Sequence, residues 1–157
     1  MSLPFSEIAD EFNRRTRRVV WCTAATIDTK DRTRVRVVHP VWNGTTGWLT
    51  SNRGAAKGIH LARNPHLSLS YLEVLDPWGT EQVYVDCTAT WADAPETKRE
   101  LWDWIKAVEP PMGFDPGLMW QDPDDDEFGL LRLTPWRIEL ASLRPGRDGW
   151  SSSVWTA

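Results

Sequence analysis

The residues with the clearest chemical potential lie between Arg34 and Pro65. Arg34 and Arg36 alternate with Val35 and Val37, so an extended chain puts both guanidinium groups on one face. After a Gly-Thr-Thr-Gly turn comes a second extended run, Trp48-Leu49-Thr50-Ser51, which ends in two hydroxyls. Small residues and Lys57 then open a short helix over 54–63, stopped by Asn64-Pro65. Hydroxyls, unpaired N–H groups at a helix N-terminus and a cation together describe an anion site, and phosphate is its natural guest. The other candidates are weaker. His39, His60 and His66 carry no metal or haem signature in their spacing. The run Asp122-Pro123-Asp124-Asp125-Asp126-Glu127 lacks the glycine and spaced ligands of a calcium loop, so it reads as solvated loop, and no metal site is expected.

The elements that must position this chemistry are mostly strands. Pro4 to Arg15 reads as an amphipathic helix with Phe5, Ile8 and Phe12 on one stripe. Arg14, Arg15, Arg17 and Arg18 then complement the helix dipole at a solvated end. Val19 to Ile27 is a buried strand, and Asp28 to Asp31 turns it into the Arg34 strand. Asn43-Gly44 is a hairpin signal. His66 to Leu75 and Thr80 to Trp91 alternate as half-buried strands. Asp93 and Glu96 resemble a capping box for a helix to about Val108, with Leu101, Trp104, Ile105 and Val108 inward and Pro110-Pro111 as its stop. Residues 112–128 form a long loop. Leu130 to Leu143 reads as two strands separated by Pro135, and the tail from Arg144 is polar apart from Trp150, Val154 and Trp155. Sequential hairpins with flanking helices make a mainly β, antiparallel barrel in one domain, 1–157.

Composition sets outer bounds. A net charge of −4 over 157 residues excludes a general nucleic-acid binder. Two distant cysteines, Cys22 and Cys87, suggest free, buried thiols in a reducing compartment. No leader, membrane span or lipidation motif is visible, which gives the expectation of a cytoplasmic protein. Eleven Trp exceed what a core of this size needs. Trp42, Trp48, Trp136, Trp150 and Trp155 are therefore assigned to a subunit interface, where aromatics concentrate; for Trp150 and Trp155 the body of the barrel is the alternative, and stacking of at least one Trp on a planar ligand stays open.

From Val19 to Trp91 the chain resembles the flavin-binding split-barrel family that includes pyridoxamine 5′-phosphate oxidase and the flavin/deazaflavin oxidoreductases. Arg36-Val37-Val38-His39-Pro40-Val41 is similar to the family's Arg-led strand along the flavin ring. Trp48-Leu49-Thr50-Ser51 up to Lys57, with Asn64-Pro65, is similar to its phosphate-binding segment. Glu81-Gln82-Val83 is similar to the strand whose Gln reaches the cofactor. The resemblance implies a split β-barrel and a homodimer. It also implies an FMN-dependent oxidoreductase with Arg36, Val37, Val38, His39, Pro40, Thr50, Ser51, Arg53, Lys57 and Gln82 at the cofactor. Ala55-Ala56 stands where Ser-Arg is usual, so one phosphate contact is either missing or supplied by Arg53. The Arg-x-His substrate element of the vitamin oxidase has no counterpart near the C-terminus. Two alternatives stay open: the deazaflavin coenzyme F-420, whose acidic tail would use Arg53, Lys57, Arg14 and Arg15, and a non-enzymatic flavin- or haem-binding stress protein with His39, His60 or His66 as ligand.

Overall fold

The structure, a computed structural model, describes residues 3–157. Its elements run α1 (Ala9–Arg18), β1 (Cys22–Ile27), β2 (Thr33–Val38), β3 (Val41–Asn43), β4 (Thr46–Asn52), α2 (Ala56–Arg63), β5 (His66–Val74), β6 (Thr80–Trp91), α3 (Pro95–Ala107), β7 (Phe128–Leu143) and β8 (Trp150–Thr156). All eight strands belong to one antiparallel sheet, ordered β2-β1-β5-β6-β7-β4-β3, with β8 also on β7. The outermost strands, β2 and β3, are joined by only His39 and Pro40. A sheet whose two edges are that close in sequence must curl on itself, yet β2 and β3 do not pair, so the barrel stays split along this seam.

Alternation decides what fills the barrel. Leu67, Leu69 and Tyr71 of β5 and Val83, Val85, Cys87 and Ala89 of β6 are all buried, as are Leu130, Leu131, Leu133 and Ile138 of β7. Cys22 and Cys87 are free and buried, and burial pushes both thiols up to about 12. Trp42 belongs to this core and not to an interface: it packs edge-on to Phe12, and its indole Nε1 donates to the Tyr71 hydroxyl at 2.9 Å. A buried indole N–H needs such an acceptor, and Tyr71 is the one the barrel supplies. Trp155 packs edge-on to Phe5, which seats the tail on the N-terminal turn ahead of α1.

Several sequence expectations need correction. The first helix is a 3-10 turn (Phe5–Glu7) followed by α1, which extends to Arg18. Asp93 does not cap α3. Ala94 stands at the N-cap with Pro95 behind it, and the Asp93 carboxylate accepts two bonds from Arg53 instead. The expected pair of strands around Pro135 is the single strand β7. Pro135 is tolerated because β7 changes neighbours there, from β4 (up to Leu133) to β8 (from Arg137), and a bulge opposite Asp86 and Cys87 absorbs the irregularity. The polar tail forms β8, paired along β7 from Trp150 to Thr156. The hairpin at Asn43-Gly44 forms as expected, with Gly44 at φ 57°. No helix among the described residues is long and apolar enough to cross a membrane.

Candidate functional site

A cavity of about 570 Å³ opens at the seam of the barrel. Val37, Val38 and His39 enter it from the end of β2, Leu49, Thr50, Ser51 and Asn52 from β4, and Ala55 and Lys57 from the start of α2. Val20 and Trp21 form one rim. The loop after α3 covers the opposite side with Pro111, Phe114, Asp115, Leu118, Met119 and Trp120.

The position of Lys57 follows from close packing. Trp91 at the end of β6 is wedged between Gly58 of α2 and Gly129 of β7; a Cβ at either glycine would fall 2.6 or 2.5 Å from its ring. Only glycine lets α2 settle this closely on the sheet. Lys57 is half-buried, and its ammonium has no hydrogen-bond or ion-pair partner among the described residues. Burial first, then the charge of Arg36, lowers its pKa. Arg36 lies on the inward face of β2, opposite Ala24. Its Nη1 donates to Thr26 Oγ1 at 3.0 Å and its Nη2 lies 3.4 Å from His60 Nδ1. Neither contact is a carboxylate, and burial followed by Arg34 lowers the Arg36 pKa also. Two like charges therefore sit together without a counter-ion, an arrangement that an anion relieves.

His39 closes the seam. Its ring is flanked by Trp21 at 5.0 Å and Phe114 at 5.1 Å between centroids. Its Nε2 is buried without a hydrogen-bond partner. Burial lowers its pKa, against a smaller opposing effect of the Met112 backbone, so the ring is neutral at physiological pH.

Of the residues singled out in the sequence, Val37, Val38, His39, Thr50, Ser51 and Lys57 come together around the cavity. Arg36 stands behind it. Pro40 is buried at the turn into β3. Arg53 is turned away, its guanidinium over the Trp91 ring at 4.2 Å and paired with Asp93 at 3.1 Å. Gln82 lies outside the cavity of its own chain: its Nε2 donates to Thr80 Oγ1, and its Oε1 is buried without a partner. His60 is bound to Thr26 at 3.0 Å, and His66 is exposed at the start of β5. Among the described residues no group of three or more His, Cys, Asp or Glu converges as a metal site.

Sequence reading missed Trp21 and the whole covering loop. The signal was there in part: Phe114, Leu118, Met119 and Trp120 are large apolar residues inside a Pro-, Gly- and Asp-rich segment. Trp120 is anchored by its Nε1, which donates to Asn52 Oδ1 at 2.9 Å, and by edge contact with Phe128.

The sequence matches the family model of pyridoxamine 5′-phosphate oxidase over residues 8–140. The chain belongs to this family. None of the curated proteins matches it. Among solved structures, the fold is shared by a protein of Clostridium acetobutylicum related to general stress protein 26, at 13% identity, TM-score 0.68, with 98% of this chain and 96% of that one covered. It is also shared by the haem storage protein HutZ of Vibrio cholerae, at 20% identity, TM-score 0.61, covering 82% and 89%. A haem binding protein of Mycobacterium smegmatis matches at 17% identity, TM-score 0.66, with 98% of this chain but 59% of that one covered. At such identities the likeness is one of fold.

Proposed function

We propose that this member of the family binds FMN in the seam cavity and acts as an oxidoreductase, as a homodimer. The observation that carries the reading is the pair Lys57 and Arg36, two partly buried cations without a carboxylate, beside the Thr50 and Ser51 hydroxyls. That donor set fits a phosphate monoester, and the cavity volume lies within the usual range for ligand pockets. Lys57 would hold the phosphate with Thr50 and Ser51, and Val37, Val38 and His39 would line the ring. Bound FMN would supply the electron-transfer chemistry. The chain's own part is to neutralise the phosphate, orient the ring and keep water out beneath the covering loop. The same geometry favours FMN over F-420. The latter's acidic tail needs further cations, and Arg14, Arg15 and Arg53 are all held by carboxylates.

The dimer rests on an exposed apolar face. Val35 and Val37 of β2 and Leu72 and Val74 of β5 share the outer side of the sheet and are 54–73% exposed. A two-fold pairing would cover both copies with one patch.

A second reading has its own observation. His39 is the one histidine lining the cavity, neutral and with a free Nε2. A haem ligand needs that state, though Trp21 or Phe114 would have to move to expose the atom. Titration of the purified protein with FMN, F-420 and haem, followed by absorbance, separates the readings. A flavin spectrum with saturable binding supports the first. A Soret band lost in His39→Ala, with no flavin uptake, overturns it in favour of the second.

A further inference from the structure

The two walls of the cavity have opposite character. The barrel wall carries Lys57, with Arg36 behind it. Between residues 109 and 127 the covering loop has five Asp, two Glu and no Lys, Arg or His. Arg99 and Lys106 of α3 offset two of these charges, at Asp124 and Asp115, and both pairs are solvent-exposed. Asp115 itself lines the cavity. The loop's other contribution is apolar: Leu118 and Met119 line the cavity at 82% and 70% exposure, as does Trp21 of the barrel at 61%. Large apolar side chains this exposed at a cavity mouth gain by burial against an apolar guest. Asp115, the carboxylate that lines the cavity, repels an anion approaching from the same side.

We infer that the covering loop selects the substrate, and that the substrate is an apolar molecule without negative charge, bound against Leu118, Met119 and Trp21. The inference rests on the FMN reading for the occupant of the cationic end. Phosphorylated or carboxylated substrates are disfavoured because the cavity's free cations are already committed to the cofactor phosphate. Specificity then comes from a repulsive element as well as an attractive one.

Two probes of nearly equal size test this: neutral 2-methyl-1,4-naphthoquinone and anionic 1,4-naphthoquinone-2-sulfonate, titrated calorimetrically into protein saturated with FMN. The neutral probe should bind about tenfold more tightly or better. Leu118→Asp should weaken the neutral probe by about tenfold. Asp115→Asn should narrow the gap between the probes. Should Leu118→Asp not fold, Leu118→Ser reads the same contact. Equal or tighter binding of the sulfonate, or a folded Leu118 variant that binds the neutral probe as well as the parent, overturns the inference. Failure of FMN to bind overturns the functional reading instead. The neutral probe alone, on the FMN-free protein and its Leu118→Ser variant, then still judges the loop, by whether the variant binds it more weakly.

Discussion

Two arginine-rich clusters of this protein look alike in sequence and differ in kind. Around α1, Arg14 bonds Glu11 at 2.6 Å and Glu81 at 2.7 Å, and Arg144 bonds the other oxygen of Glu81 at 3.0 Å. Arg15 is buried, with Nη1 donating to the Gln82 and Ala141 carbonyls and Nε to Glu11. These hydrogen bonds raise the Arg14 pKa. At the seam, Arg36 and Lys57 have no acidic partner and their pKa values are lowered. The first cluster spends its charge fastening α1 to β6 and β7. The second carries its charge without an acidic partner among the described residues. A cation's worth as a site marker lies in being unpaired while partly buried, because the fold then bears an electrostatic cost that only a ligand removes.

The largest expected effect breaks the structural cluster. Glu81→Ala leaves Arg14, Arg15 and Arg144 without their shared carboxylate and should cost about 3 kcal/mol in urea unfolding. FMN affinity, extrapolated to native conditions, should stay the same; a matched loss of both would mean the clusters are not separate. Lys57→Ala should do the reverse. It should weaken FMN by about tenfold or more, from the loss of one charge-assisted bond. Stability without ligand should hold or rise slightly, since a lysine whose pKa is depressed on folding disfavours the fold wherever it is protonated. Unchanged FMN affinity on titration would remove Lys57 from the site.

The pH dependence sharpens the contrast. The Arg14 hydrogen bond, then Arg15, holds Glu11 down from 4.5 to about 2, against burial. For Glu81, burial pushes up while the Arg14 and Arg144 bonds outweigh it, and the net shift is downward. A carboxylate depressed on folding contributes stability that is complete above its unfolded pKa and is lost as pH falls through its folded one. The urea midpoint should therefore fall between pH 4.5 and about 2, and Glu11→Gln should flatten that slope. An unaltered slope in the variant would assign the acid loss to other groups. The smallest effect belongs to Arg53 and Asp93, whose side chains are 44% and 57% exposed. A double-mutant cycle should give about 0.5 kcal/mol or less for this pair. A larger coupling would show that the Trp91 stack beneath it is part of the same unit.

Much of the barrel was legible because its signals are local. The alternation over Thr80 to Trp91, the Asn43-Gly44 hairpin and the Asn64-Pro65 stop each act within a few residues and form as read. Errors fell where a distant partner intervened. Asp93 has the residue type and position of a cap, but Arg53, 40 residues away, takes its carboxylate. Pro135 breaks strands in isolation, but the exchange of β4 for β8 beside β7 gives it a place where no donor is required. The tail showed no strand pattern, and pairing to β7 made it β8.

The same division holds for the site. Sequence alone determined that Thr50, Ser51 and Lys57 lie at a spacing that one hairpin and one short helix bring to one cavity, because strand and helix periods fix such placements over short range. It did not determine which arginines stay free. Arg14 and Glu81 are 67 positions apart, and nothing local says that they meet. Nor did it place the loop over the cavity, since Trp120 finds Asn52 across 68 positions. Long-range pairing follows from how the whole sheet curls, so only the tertiary structure separated the cations paired with carboxylates from those without an acidic partner among the described residues.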